Sequence, residues 1–219
     1  MDERADAADP RAPQRSQPAR PAIADQHRAR PRRRGKALEA AILEAALGEL
    51  AEVGYAGLTM ERVAERARTG KASLYRRWPT RVELTLDAVR HAMPDPASPP
   101  DTGAFRTDVL ECLRENAALL AGPSGQALRG LLGDALADEE RMRALRNRSR
   151  GSGVTAMTEI ARRAVARGEI DAAAVTPARL EVAHAMLRQH FLFQGAPIGG
   201  DVLAGIVDEV VVPLFAPAG

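Results

Sequence analysis

At 219 residues the chain is long enough for one substantial domain or two small ones, each able to bury a core. Hydrophobic residues make up 45% of it but aromatics only 3%, which favours packed helices with an aliphatic core over a sheet rich in aromatic and β-branched residues. The formal charge of +2 shows no global excess of either sign, and the one cysteine, Cys112, excludes an intrachain disulfide framework or a cysteine-rich zinc site.

The first 36 residues carry Pro10, Pro13, Pro18, Pro21 and Pro31 among Asp, Arg, Gln and Ala, with Ile23 as the only large aliphatic after Met1. Such a segment cannot offset its ordering entropy by burial, so it is expected to be a disordered arm without a secretory or transit signal. Its end concentrates Arg28, Arg30, Arg32, Arg33, Arg34 and Lys36. A solvated charge run and an arm that meets DNA phosphates or a minor groove are both open readings, and on the second Arg32, Arg33 and Arg34 are DNA-contact candidates.

Helical signals begin at Lys36. Ile42, Ala46, Leu50 and Val53 fall on one face and predict a helix over 37–53, with Gly54 as a left-handed stop. Thr59 caps a second helix over 60–67, and Arg68-Thr69-Gly70 leads into a short helix over 71–77 that must end before Pro79. Two short helices joined by a glycine-containing connection are the plan of a helix-turn-helix. Thr80 and Glu83 form a capping box for a fourth helix running to about His91. Between Arg66 and Arg81 stand Arg66, Arg68, Lys71, Arg76, Arg77 and Arg81 with no acidic residue, the charge a helix needs beside DNA phosphates while other side chains read base edges.

Leu58-Thr59-Met60, Val63-Ala64 and the run Lys71-Ala72-Ser73-Leu74-Tyr75-Arg76-Arg77-Trp78-Pro79-Thr80-Arg81-Val82-Glu83-Leu84 resemble the DNA-binding domain of the TetR (tetracycline-repressor) family of bacterial transcriptional regulators. The resemblance covers about residues 37–86. It implies an all-α chain in which a three-helix DNA-binding head precedes a helical ligand-binding and dimerisation domain over 87–219. It also implies groove-facing or phosphate-facing roles for Lys71, Ser73, Tyr75 and Arg76, and phosphate contacts at Thr59 and Arg81. Leu74 and Trp78 read as packing residues. Arg68 stands where the family commonly has a turn glycine, so either it adopts a strained left-handed conformation or the turn has changed type.

Beyond residue 92, Pro94, Pro96, Pro99 and Pro100 mark a stiff loop. Helical periodicity returns with Phe105, Val109, Leu113, Ala117 and Leu120, breaks at Gly122-Pro123-Ser124-Gly125, and resumes with Ala127, Leu128, Leu131, Leu132 and Leu136. A charged helix over 139–148 and another over 154–167 ending at Gly168 follow. The last two helices, over 177–193 and 201–214, are apolar on more than one side and must bury a second face. Leu180, Ala183, Leu187 and Phe191, with Val202, Ile206 and Val210, are the candidates for an isologous dimer contact, and the resemblance implies a four-helix interface. Burial within one subunit is the competing reading.

Catalytic patterns are lacking: the four histidines are scattered, and no HExxH, phosphate loop or Gly-x-Ser-x-Gly elbow occurs. Glu139 and Glu140 beside Asp134 and Asp138 read as a solvated helix start more simply than as a metal cluster. Cys112 reads as a small core residue. The most apolar stretch, Val202 to Phe215, is too short and too interrupted to span a bilayer. The expectation is a cytoplasmic homodimer that binds double-stranded operator DNA, responds to a small, largely apolar effector through a pocket the sequence does not locate, and needs no cofactor or metal. A regulator without an inducer and an enzyme fused to a DNA-binding head are the alternatives. Partition sharpens the charge: residues 1–36 carry +5, 37–86 carry 0 and 87–219 carry −3.

Overall fold

Two Schellman turns, one built on glycine and one on arginine, frame the fold. A computed structural model describes residues 35–136, 138–140, 142–143 and 152–216. Helix α1 spans Lys36–Gly57, α2 Met60–Arg66, α3 Lys71–Tyr75 and α4 Arg81–Ala92. Then come α5 (Phe105–Ala121), α6 (Pro123–Leu136), α7 (Ser152–Ala166), a 3₁₀ turn (Ala172–Ala174) and α8 (Pro177–Phe193). The chain closes with α9 (Gly200–Gly205), a π-helical stretch (Ile206–Val211) and α10 (Val212–Phe215). No strand occurs among the described residues, and the architecture is all-α. The arm's Arg32, Arg33 and Arg34 and most of the helix expected over 139–148 lie outside the described residues.

Local chemistry sets the boundaries. Gly54 takes φ 68°, as expected of a helix stop, and a last turn reaches Gly57 before Leu58 leaves the helix. The Thr59, Thr80 and Thr176 hydroxyls each accept an N–H from the first turn of α2, α4 and α8, at 3.3, 3.3 and 3.4 Å. At the end of α2, Thr69 N–H donates to the Ala64 carbonyl and Arg68 N–H to that of Glu65, with Arg68 at φ 54°. At the end of α7, Glu169 and Gly168 repeat those bonds to Ala164 and Val165, with Gly168 at φ 75°. The turn after α2 has therefore kept its left-handed form, and Arg68 carries the strain that a glycine avoids.

Two expected boundaries shift. Helix α6 begins at Pro123, because a proline in the first turn forfeits no hydrogen bond, and the α5–α6 corner is tight enough that a Cβ on Gly125 would stand 1.8 Å from the Leu120 carbonyl oxygen. The final helix is not uniformly α. Pro213 has no N–H to return to the preceding turn, and ahead of it Val212 N–H reaches back five residues to the Val207 carbonyl, so Ile206–Val211 winds as a π-helix.

Two cores form. One joins α5, α7, α8 and the final helices around Leu113, Met157, Ile160, Phe191 and Phe215. The other joins α1 to α4 around Ile42, Leu58, Val63, Leu74 and Leu84, and it takes in Ala127, Leu131 and Ala135 of α6. The head thus packs directly on a helix that the sequence assigns to the regulatory part. Glu49 of α1 is buried and accepts from Arg62 Nε at 2.6 Å and Arg66 Nε at 2.7 Å, tying α1 to α2. Burial opposes its ionisation, but the two guanidiniums prevail and hold its carboxyl below the usual range. Asp108, fully buried on α5, accepts from Thr102 Oγ1 at 2.8 Å and Arg167 Nη2 at 3.1 Å, while Arg163 Nη2 donates to the Pro99 carbonyl at 3.1 Å. The proline-rich loop is therefore clamped to α5 and α7.

The strained turn yields a direct prediction: Arg68→Gly stabilises the fold by about 1 kcal/mol in chemical denaturation, the cost of a left-handed non-glycine residue. No gain in stability means that the arginine relieves its own strain.

Candidate nucleic-acid interface and internal cavity

Helix α3 has two distinct faces. Lys71 and Tyr75, and beside them Ala72 and Arg76, stand four apart and are exposed, with Tyr75 at 43%. Ser73 and Leu74 lie on the opposite side and are buried. The Ser73 hydroxyl accepts from Arg77 Nη1 at 3.0 Å, and the same nitrogen donates to the Ser73 carbonyl at 3.0 Å. This corrects one expectation: Ser73 and Arg77 close the C-terminal end of α3 on its packed side, and Ser73 does not belong to the exposed face. Trp78 is buried at 2% exposure between α3 and α4, and its Nε1 donates to Asp87 Oδ2 at 2.9 Å. Leu74 and Trp78 are packing residues, as expected.

The uninterrupted basic run also divides. Arg66 pairs with Glu49 and Glu52 on α1, and Arg77 serves Ser73. Arg81 sets Nη2 at 2.6 Å from Asp134 Oδ2 on α6, and its guanidinium lies 4.7 Å from the centre of the Tyr55 ring. Arg81, expected at a DNA phosphate, latches the start of α4 to α1 and α6 while its side chain stays 39% exposed. Lys71 Nζ lies 3.2 Å from Glu61 Oε1, with both side chains at least half exposed, a pair of the kind worth little in water. Arg68 and Arg76 make no ion pair among the described residues. The surface left for an anionic partner is therefore Lys71, Tyr75, Arg76, Arg68 and the exposed Thr59 at the α2 N-terminus.

A cavity of about 140 Å³ lies at the other end of α4. Leu86, Val89 and Arg90 of α4 form one wall, the loop prolines Pro96, Pro99 and Pro100 another, and residues of α5 to α8 line the rest. Phe191 is the one aromatic carbocycle in its lining, in keeping with the low aromatic count. Besides the charged Arg90, Asp95, Glu115 and Arg188, its polar lining includes Asn116, Cys112 and His184. Asn116 Nδ2 donates to the Cys112 carbonyl at 2.7 Å and lies 3.9 Å from its Sγ, which lies 3.9 Å from His184 Nε2. His184 is 9% exposed and its Nδ1 is buried with no partner. Burial, with the Arg188 charge adding to it, pushes the imidazole down to about 4. Burial, with the Glu115 charge, pushes the Cys112 thiol up to about 11, which disfavours the reactive thiolate. The sequence offered no signal for this site because its walls come from five helices far apart in the chain.

The residues expected at a dimer contact pack largely within the subunit. Leu180, Ala183, Leu187, Phe191 and Ile206 are buried against α5, α7 and one another within one subunit, so their apolar pattern is accounted for without a partner. Val202 and Val210 are half-buried. On its other side α8 carries Val182 and Met186, both half-buried and Met186 packed against the core, and Phe193 at 80% exposure beside Leu192 at 42%. Among the described residues no three His, Cys, Asp or Glu side chains are placed to hold a metal ion, and no helix is long and apolar enough to cross a membrane.

Comparison with known proteins agrees with this architecture. The family model "Bacterial regulatory proteins, tetR family" matches residues 42–88, and "Tetracyclin repressor-like, C-terminal domain" matches residues 99–210. The HTH-type transcriptional regulator Rv1556 of Mycobacterium tuberculosis is 31% identical over 175 residues, 80% of this chain and 86% of that protein. A DNA-binding transcriptional repressor TetR of Mycobacteroides abscessus is 32% identical over 191 residues, 84% of this chain and 97% of that one. The crystal structure of the TetR family transcription regulator SCO0332 superposes with a TM-score of 0.67 at 27% identity, covering 82% of this chain and 99% of that one. With the head's two-faced recognition helix, the second core behind it and relatives matched over most of their length, the chain belongs to the TetR family of bacterial DNA-binding transcriptional regulators.

Proposed function

We propose that the protein is a homodimeric repressor released from a palindromic operator by a small, largely apolar molecule bound in the cavity. The observation that carries this reading is the placement of α4. Its C-terminal half walls the cavity, its start follows the recognition helix directly, and twelve helical residues make a rod of about 18 Å between them. A ligand that prefers one position of that rod shifts the head by its differential affinity for the two positions. Lys71, Tyr75 and Arg76 enter the major groove, with Thr59 and Arg68 toward phosphates. Two subunits pair through the side of α8 that carries Val182, Met186 and Phe193, with Val202 and Val210 at its edge, because an 80% exposed phenylalanine beside further apolar residues is a surface that a second copy covers. The Asp134 latch keeps Arg81 as the hinge point of α4 and not as a reader of DNA.

Selecting operator sequences from a random DNA pool and repeating the binding with variants tests the DNA part. Tyr75→Ala and Arg76→Ala each lower operator affinity at least about tenfold without loss of fold, the worth of one good groove or phosphate contact, whereas Ser73→Ala leaves the chosen sequence unchanged. Wild-type affinity in both exposed-face variants overturns the assignment of α3. For the assembly, Phe193→Glu yields a folded monomer in sedimentation velocity, while Leu187→Ala keeps the oligomer and loses about 2–5 kcal/mol of stability as a core truncation. A Phe193→Glu protein that still dimerises removes this side of α8 from the interface.

A further inference from the structure

Two walls of the cavity are held in different ways. The last turns of α4 meet it with Leu86 and Val89, which are held by apolar packing, and with Arg90, whose ion pair to Asp87 at 3.9 Å stays within the helix. The segment that follows α4 supplies the other wall with Met93, Pro94, Pro96, Pro99 and Pro100. It is stiff in itself, because each proline fixes its own φ and restricts the residue before it. A turn stiffens it further: Ser98 N–H donates to the Asp95 carbonyl at 3.1 Å, and Ala97 N–H to Asp95 Oδ1 at 3.0 Å.

The far end of that segment is fastened to α5 and α7. Arg163 of α7, its side chain 14% exposed, donates from Nη2 to the Pro99 carbonyl at 3.1 Å and sets Nη1 at 3.1 Å from Asp101 Oδ2. Thr102 donates its N–H and its hydroxyl to Oδ1 of the fully buried Asp108 on α5, at 2.5 and 2.8 Å. Arg167 Nη2 holds the other Asp108 oxygen at 3.1 Å. A buried carboxylate that left these partners would stand unpaired away from water, so this fastening does not slip as a surface ion pair does.

A guest between two walls displaces the one that yields. Apolar contacts have no direction and survive a small shift of a helix, whereas hydrogen bonds to a buried charge weaken steeply once their geometry is lost. We propose that Asp108, Arg163 and Arg167 anchor residues 93–102 as a fixed abutment, so that occupancy of the cavity is expressed as displacement of α4 and not of the loop. This rests on the reading of the cavity as the effector site, and it names the residues that make binding there felt at the head. Without the anchor the loop gives way, and the guest is accommodated with α4 in place.

A double-mutant cycle in the full chain tests it, with operator affinity as the readout and Ala156→Phe, a buried lining position, as the occupant. Ala156→Phe alone weakens operator binding at least about tenfold, the size of an ordinary allosteric coupling. Arg163→Met alone keeps the operator affinity, since Arg163 lies outside both the cavity lining and the head. In the Arg163→Met protein the cost of Ala156→Phe falls to about threefold or less. A merely structural role for Arg163 would lower the unfolding midpoint and leave that ratio as it was. Asp101→Ala, which strips the exposed side of the anchor, decides the matter by the same ratio if Arg163→Met does not fold. A ratio undiminished in the deciding variant overturns the anchor and leaves the cavity its role. No effect of Ala156→Phe in otherwise unaltered protein overturns the inference together with the reading on which it rests.

Discussion

Helix α4 belongs to two structures at once, and the rest of the molecule is arranged around that constraint. Its start is held by Arg81 on Asp134 and over Tyr55, its middle by the Trp78 indole on Asp87, and its end by the apolar wall of the cavity. The buried Val82, Leu84, Leu86, Ala88 and Val89 give the helix no freedom to turn on its own axis without opening the head's core. On the proposed reading, a displacement of its C-terminal half would pass to α3 as movement of a rigid body. Helix α6 is part of the same unit, since it carries both Asp134 and the residues Ala127, Leu131 and Ala135 that complete the head's core.

The charges of the head divide along the same lines. Six basic residues between Arg66 and Arg81 look equivalent in the sequence, but Arg66, Arg77 and Arg81 are used inside the fold, to join α2 to α1, to close α3 and to hold α4. Arg68 and Arg76 make no ion pair among the described residues, and the partner of Lys71, Glu61, is itself half exposed. An exchange of Arg81 for lysine would keep the charge yet lose the planar group that both pairs with Asp134 and stacks on Tyr55.

Element order, helix caps and the recognition helix were legible because they depend on local chemistry: the threonine caps, the proline after Trp78 and the glycines at Gly54 and Gly168 act within a few residues of where they stand. The face of α3 that turns inward was not, because a five-residue helix is too short for periodicity to tell Ser73 from Lys71. In α8 the sequence showed two apolar rows, and nothing local decides which one the subunit's own core takes. The structure gives Leu180, Ala183, Leu187 and Phe191 to the core, leaves Val182 and Met186 half-buried, and exposes Phe193. The cavity was invisible for a related reason: Leu86, Cys112, Asn116, Gly153 and His184 meet only through tertiary packing.

The claim on which the account turns is that occupancy of the cavity moves the head through α4, and a substitution can stand in for an occupant. Ala156 is a buried small residue on the cavity wall. The decisive measurement is the operator affinity of Ala156→Phe, made on protein whose cooperative unfolding shows it intact. The account predicts a loss of at least about tenfold, comparable with an ordinary allosteric coupling free energy of 1–3 kcal/mol, with the specificity for the selected sequence retained. Wild-type affinity in a folded protein with its cavity filled would contradict it.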